Sequence, residues 1–181
     1  GAINSTASST AASEWWTAGG GAINQFSAEQ VTVGGTAVTR NFVLEPGALI
    51  SGTVTAETGG AALEGIKIQI RDFTSDEIAI ATRTGPDGKF RVNVRPGTYT
   101  VGAYNSTRQP YATELYNPTL NGGTNATEAT PITVAAGTST TTDFSLLAGR
   151  MVAGLVSDPT SGIVAGMAVR FYSSTDAFVR G

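Results

Sequence analysis

The sequence repeats itself at an interval of about a hundred residues, and this repeat constrains the fold more than any other feature. The matched segments are 1–6 with 102–107, 41–44 with 143–146, 47–54 with 149–156, and 64–68 with 165–169. Because the interval is nearly constant, the chain contains slightly less than two periods of one structural unit. We therefore predict a complete unit at 47–147. It is preceded at 1–46 by the C-terminal part of one unit and followed at 148–181 by the N-terminal part of the next.

Within the complete unit, apolar and polar residues alternate as in β-strands that are buried on one face. The clearest alternating segments are IKIQIR at 66–71, FRVNVR at 90–95 and TYTVGA at 98–103. Turn sequences separate them, including an Asp-Gly pair that favours a tight hairpin. Short alternating strands with frequent turns predict an all-β fold, an antiparallel β-sandwich. The alternation also predicts that Ile68 faces the core and that Gln69 faces solvent.

The two flanking segments carry strand patterns that neither of them can bury alone. The predicted strands are at 31–33, 38–44, 151–156 and 167–172. We expect both segments to be ordered by partners outside the complete unit. The partners are either the neighbouring repeats of a longer protein or identical subunits in head-to-tail contact, and such a contact does not close and forms a filament.

Four motifs in a fixed order carry a resemblance to a known family: GALISGTV at 47–54, GIKI at 65–68, TGPDGKF at 84–90 and PGTYTV at 96–101. The set resembles the carboxypeptidase regulatory-like domains, prealbumin-like β-sandwiches that are similar to the B-type repeats of collagen adhesins. The resemblance implies tandem Ig-like units of about a hundred residues. It also implies a non-catalytic role as a spacer, stalk or adhesive repeat of an extracellular protein.

Composition excludes several classes of function. The chain contains no Cys and no His, which removes disulfides, thiolate metal sites and the commonest general base. A net charge of −3 with 11 Lys and Arg residues argues against a nucleic-acid partner. No apolar segment approaches the roughly 18 residues of a membrane-spanning helix. We therefore predict that the chain is not an enzyme, uses no cofactor and has no membrane span.

The resemblance also raises an isopeptide cross-link, because B-type repeats often join a Lys to an Asn beside a buried acid. That Lys lies on a core-facing position of the first strand, where this chain has none. Lys67 alternates with core positions and Lys89 flanks a turn, so no cross-link is expected.

Three acidic residues, Asp72, Asp76 and Glu77, cluster in one predicted loop. Loop carboxylates can bind calcium, but the spacing does not match an EF-hand, and a solvated turn is the favoured interpretation. A glycosidase pair of carboxylates needs a sugar cleft, which nothing in the sequence indicates. We predict no metal site and no catalytic residue.

Four aromatic residues, Trp15, Trp16, Tyr111 and Tyr116, lie outside the alternating strands at matching places in the repeat. Large flat side chains can stack on sugars or anchor a protein interface. Packing at the end of the sandwich is the favoured interpretation, and a glycan-binding surface is the alternative.

Three Asn-X-Ser/Thr sequences provide candidate glycosylation sites at Asn4, Asn105 and Asn125. The Ser- and Thr-rich segment 138–142 is a candidate for O-linked sugar. Together with the low Lys content, these features favour an extracellular or cell-surface location.

These observations predict a structural module of a stalk, surface layer or filament, which acts through end-to-end or strand-sharing contacts. One alternative is an adhesive or carbohydrate-binding module that uses the four aromatic residues. The other is an accessory domain of a secreted hydrolase.

Overall fold

The computed structural model describes residues 11–22, 25–104, 111–119, 128–149, 154–160, 162–167, 169, 171–172 and 178–179. Strands dominate this part of the chain, with one 3₁₀ turn at Gln25–Ser27. In chain order the strands are β1 (Trp15–Thr17), β2 (Gly20–Ala22), β3 (Ala48–Ala56), β4 (Lys67–Asp72), β5 (Ile78–Arg83), β6 (Lys89–Val94), β7 (Gly97–Tyr104), β8 (Glu114–Leu115), β9 (Ile132–Val134), β10 (Ser139–Thr141), β11 (Phe144–Leu146), β12 (Ser157–Asp158), β13 (Gly162–Ile163), β14 (Phe171–Tyr172) and β15 (Phe178–Val179).

Two sheets form the complete unit, and the prediction of an all-β sandwich is confirmed. In the first sheet, β3 pairs antiparallel with β6 along one edge and parallel with β10 and β11 along the other. In the second sheet, β4 lies between β5 and β7, and β7 also pairs with β8 and β9 near its two ends. The parallel pairing of β3 is the departure from a wholly antiparallel fold. It arises because the chain leaves the second sheet after β9 and crosses to the first.

The core lies between the two sheets and follows from the alternation. Every second residue of β3 is buried, from Ala48 to Ala56, and β6 buries Phe90, Val92 and Val94 in the same way. Ile68 and Ile70 of β4 are fully buried, in the second sheet, so the isoleucine and Phe/Val stripes face each other across the sandwich.

The first sheet contains one break in its edge strand. Between β10 and β11 the backbone of Thr142 approaches β3 so closely that a Cβ atom at Gly52 would lie 2.0 Å from the Thr142 carbonyl oxygen. Where the backbone ladder is interrupted, the Asp143 carboxylate accepts a hydrogen bond from the N–H of Thr53 at 2.8 Å. Glycine at position 52 is therefore a requirement of packing.

Gln69 corrects the register prediction, because its side chain is 7% exposed rather than solvated. β4 is an interior strand, and Gln69 lies opposite Ala81 on one side and Gly102 on the other. The half-buried Arg71 covers it from the same strand and donates to its Oε1 atom at 3.3 Å. Alternation assigned Gln69 to the outer face correctly, but neighbouring side chains bury that part of the face.

The strands predicted at 31–33 and 38–44 are wrong, since residues 31–45 contain no strand. In the complete unit the equivalent strands β9 and β11 hydrogen-bond to β7 and β3. No described strand pairs with 31–44, and Val33 and Val43 are 75% and 88% exposed.

The segment after the complete unit departs from its prediction in the same way. Residues 154–156 form no strand, while 151–153 lie outside the described residues. Of the strand predicted at 167–172, the structure contains only β14 at Phe171–Tyr172 among the described residues, and residues 168 and 170 are not described.

Replacing Ile68 with Ala should lower the free energy of unfolding by about 2–5 kcal/mol, because the cavity opens in a fully buried part of the core. The matched control is Arg91→Ala on the exposed face of β6, which should change stability by less than about 0.5 kcal/mol. Urea denaturation of both variants measures the difference. Equal losses would contradict the register described for β4 and β6.

Replacing Gly52 with Ala should destabilise the unit by about 1–3 kcal/mol or more, because the added methyl group meets a backbone carbonyl that cannot move without separating β3 from its edge strand. Gly34→Ala is the control, since a Cβ atom there meets nothing within 4 Å. Thermal denaturation distinguishes the two, and a stable Gly52→Ala variant would contradict the close approach.

Candidate functional site: the two ends of the complete unit

A buried glutamate lies at the N-terminal end of the complete unit. Glu14 is 3% exposed, and its Oε1 atom accepts a hydrogen bond from the backbone N–H of Glu45 at 3.3 Å. Beside it, the N–H of Ala12 donates to the Glu45 carbonyl oxygen at 2.9 Å, and Ala11 forms a β-bridge with Pro46. These contacts join the segment before β1 to the residues that lead into β3.

Arg95, in the loop between β6 and β7, brings a positive charge to this glutamate. Its Nε atom is 3.9 Å from Oε1 of Glu14, and its Nη2 atom donates to Oε2 of Glu45 at 3.0 Å. Its Nη1 atom donates to the carbonyl oxygen of Gly21 in β2. One guanidinium therefore connects the complete unit to three groups of the segment that precedes it. The planar fork of Arg suits such a contact better than the point charge of Lys.

Two neighbouring residues, Tyr99 and Gly21, help to position the Arg95 and Glu14 side chains. The Tyr99 hydroxyl donates to the Arg95 carbonyl oxygen at 2.8 Å. Burial, assisted by the negative charge of Asp72 and opposed by Arg95, raises the pKa of Tyr99 to about 12, so the hydroxyl keeps its proton and remains a donor. A Cβ atom at Gly21 would lie 1.9 Å from Oε2 of Glu14, so only glycine leaves room for the carboxylate.

The C-terminal end of the complete unit repeats the backbone part of this arrangement. Glu114 is also 3% exposed, and its Oε1 atom accepts a hydrogen bond from the N–H of Leu147 at 2.9 Å. The N–H of Ala112 donates to the Leu147 carbonyl oxygen at 2.9 Å, and Tyr111 forms a β-bridge with Ala148. Each contact has a counterpart at the N-terminal end, made by residues about one repeat earlier.

The two ends differ in their charge partners. Oε2 of Glu114 is buried and has no hydrogen-bond partner among the described residues, whereas Glu14 lies beside Arg95. Burial raises the pKa of Glu114, and the negative charge of Glu57 raises it further, while the Leu147 N–H acts in the opposite direction. Among the described residues, no hydrogen-bond donor therefore compensates the second oxygen of this carboxylate.

Sequence reasoning missed both glutamates and Arg95. The signal was present, because Glu14 and Glu114 each follow a Ser or Thr and precede bulky apolar or aromatic residues at matching places in the repeat. A single Glu in a polar segment does not stand out by composition, and its burial depends on residues far along the chain.

The structure describes all four aromatic candidates, in different surroundings. Tyr111 and Tyr116 pack against the core, and the Tyr116 ring meets the Phe144 ring edge-on with centroids 6.1 Å apart. Trp15 and Trp16 are half-buried in β1, and the Arg40 guanidinium lies 4.8 Å from the centre of the Trp16 ring. Their role as glycan-binding or interface residues stays a prediction.

The acidic loop forms a turn, as the favoured interpretation predicts. The Asp72 carboxylate accepts hydrogen bonds from the N–H groups of Thr74 and Ser75, each at 2.9 Å. Asp76 pairs with Arg71 at 3.8 Å. In the described part of the chain, no group of three or more acidic side chains is arranged to hold a metal ion.

Neither lysine occupies a core position. Lys67 is half-buried opposite Tyr104 and Arg83 in the second sheet, and the exposed Lys89 lies 3.5 Å from the Asp87 carboxylate. The backbone N–H of Lys89 chiefly, together with its ammonium group, lowers the pKa of Asp87, against the raising effect of desolvation.

An open groove of about 640 Å³ crosses the outer face of the first sheet. Its lining combines hydroxyl groups with charges of both signs, among them Thr53, Arg83, Arg91 and Asp143.

The candidate glycosylation sites lie outside the described residues, at Asn4, Asn105 and Asn125. No helix within the described ranges has the length and apolar character needed to cross a membrane.

Glu114→Gln should stabilise the chain relative to the parent, and increasingly so as the pH rises above 4.5, the ordinary pKa of this carboxyl group. The folded parent binds the proton more tightly than the unfolded chain. Its stability therefore falls as the pH rises from the ordinary pKa through the raised one. Gln retains the acceptor for the Leu147 N–H and removes the buried charge.

The matched control is Glu14→Gln, which should lower stability by about 1–3 kcal/mol at neutral pH because Arg95 loses its buried partner. Denaturation curves of the parent and both variants between pH 4 and pH 8 measure these effects. A loss of stability at Glu114 equal to that at Glu14 would contradict the difference between the two ends.

Several solved structures are similar to part of this chain at low sequence identity. The Bacillus anthracis TIE protein matches 58% of this chain at 12% identity, with a TM-score of 0.44. A candidate carbohydrate-binding protein of Bacteroides uniformis matches 56% at 19% identity with a TM-score of 0.39, and the pilus 2b backbone protein of group B streptococcus matches 59% at 15% with 0.37. The matches span 18%, 42% and 43% of those three proteins.

No curated protein matches the sequence. A protein-family model does match it. The carboxypeptidase regulatory-like domain matches residues 49–147, which is more than half of the 181-residue chain and lies within the complete unit at 47–147. The resemblance seen in the four sequence motifs is thereby confirmed. The chain belongs to the carboxypeptidase regulatory-like domain family.

Proposed function

We propose that this chain is a non-catalytic structural module of an extracellular or cell-surface repeat protein, such as a stalk, surface layer or filament. Its units join end to end through the contacts at the two ends of the sandwich. The observation that carries the proposal is the equivalence of those ends. Glu14 accepts a hydrogen bond from the backbone N–H of Glu45, and Glu114 accepts one from the backbone N–H of Leu147.

In this proposal, the contacts at the N-terminal end represent a complete junction between two units. Residues 11–22 lie outside the family match, and they bind the tip of the complete unit through Glu14 and Arg95. The C-terminal end presents the corresponding backbone bridge at Ala148 and the corresponding buried carboxylate at Glu114. This supports the division of the chain at 1–46, 47–147 and 148–181 into one complete unit and parts of its two neighbours.

Exposed apolar residues outside the complete unit support the same division. In 31–44, Val33 and Phe42 are 75% and 40% exposed, although their repeat equivalents Val134 and Phe144 are buried in the core. Met167, after the complete unit, is 62% exposed, although its repeat equivalent Ile66 is fully buried. We infer that strands of neighbouring units cover these segments, since exposed strand edges and apolar side chains otherwise favour aggregation.

A tandem chain tests this proposal. In it, residues 1–149 are followed directly by residues 48–181, which inserts a second complete unit and keeps Gly149 where Gly47 normally precedes β3. Small-angle X-ray scattering should show a maximum dimension larger than that of the parent by about 30 Å or more, the length of the nine-residue β3.

The control carries a flexible Gly/Ser linker between the two units, which lets them reorient independently. Residual dipolar couplings should give one shared alignment for both units of the tandem chain and separate alignments for the linker control. Independent alignment in the tandem chain would contradict an end-to-end structural role.

A further inference from the structure

The buried carboxylate of Glu114 is an incomplete version of the site around Glu14. Both side chains are 3% exposed, and both use Oε1 to accept a backbone N–H from the residues that lead into the next unit. At the first site a guanidinium completes the arrangement, and at the second site Oε2 has no hydrogen-bond partner among the described residues. A buried carboxylate of this kind is costly unless another group satisfies it.

The group that satisfies the first site comes from the following unit. Glu14 belongs to the segment before the complete unit, and Arg95 belongs to the β6–β7 loop of the complete unit itself. Applied to Glu114, the same relation requires the equivalent loop of the next repeat. That position lies about one repeat beyond Arg95, after Gly181.

We propose that Glu114 binds the guanidinium of an arginine from the β6–β7 loop of the following repeat, and so clamps the C-terminal end of this unit to its neighbour. The inference rests on the proposed function, because it names the partner at the junction between units. Arg is the residue of choice, since Arg95 shows that a single fork reaches a buried carboxylate, a second carboxylate and a backbone carbonyl together.

At the second site, Leu147 occupies the place of Glu45. The incoming guanidinium therefore finds one carboxylate to pair with instead of two, that of Glu114. The negative charge of Glu57 acts on the same site, although it is Glu114 that accepts the hydrogen bond from the Leu147 N–H. The site is thus complementary to a cation delivered from the direction of the next unit.

The tandem chain tests this inference with an internal control. The first copy of Glu114 meets the second copy of Arg95, whereas the second copy of Glu114 has no complete unit after it. Carbon-13 NMR titration of the two carboxyl groups should give a lower pKa for the first copy than for the second. Replacing Arg95 with Gln in the second copy should remove that difference. Equal pKa values in the two copies, or no response to Arg95→Gln, would overturn the inference.

The same chain separates this inference from the proposed function. A shared alignment of the two units with equal carboxyl pKa values means that the units join end to end without the ion pair, so the clamp alone fails. Independent alignment of the units means that the junction itself does not form, and both proposals fail.

If the tandem chain does not fold, the parent chain 1–181 provides the second measurement. Glu14→Gln should lower the urea midpoint, because it removes the buried carboxylate beside Arg95, while Glu114→Gln should not lower it. Equal reductions would mean that Glu114 already has a full set of partners, and would overturn the inference.

Discussion

β3 is hydrogen-bonded along both edges, and the rest of the sandwich depends on this placement. β6 pairs with it from Ala48 to Thr53, and β10 and β11 pair with successive parts of its other edge. Because buried and half-buried residues alternate along all nine positions, a shift by one residue would exchange the core and solvent faces of the strand. The close approach of Thr142 to Gly52 adds a second constraint, since only one register places a glycine there.

The alternating pattern predicted the architecture where burial depends on the strand's own sequence. It identified the core face of β3, β6 and the isoleucines of β4, because side chains of a strand point alternately to its two faces. It failed at Gln69, where Arg71 and the neighbouring strands cover part of the outer face. The pattern also failed at 31–44, where the sequence pattern of a strand is present but no described strand pairs with it. A periodic pattern reports which face is apolar and not whether a partner is available.

The buried glutamates could be found only by aligning the repeat. Glu14 and Glu114 resemble any solvated acidic residue when each is considered alone, because Glu is rarely buried. Their shared place in the repeat indicates a shared role. The N–H groups from which they accept hydrogen bonds, however, are 31 and 33 residues further along the chain. Arg95 is still more distant from Glu14 in sequence, and nothing local marks it as a partner. Long-range polar contacts of this kind are determined by the fold that brings the ends together.

A charged junction has a different consequence from an apolar one. Burying apolar surface between units would contribute more to stability, since a buried ion pair loses most of its Coulomb energy to desolvation. An apolar contact, however, tolerates rotation and sliding of one unit against the next. The Glu14 carboxylate meets a backbone N–H and a guanidinium at the same time, and it occupies space that a side chain at position 21 would fill. The contact between this segment and the complete unit is therefore restricted to orientations that satisfy all of these groups, which would suit the rigid chain of repeated units proposed above.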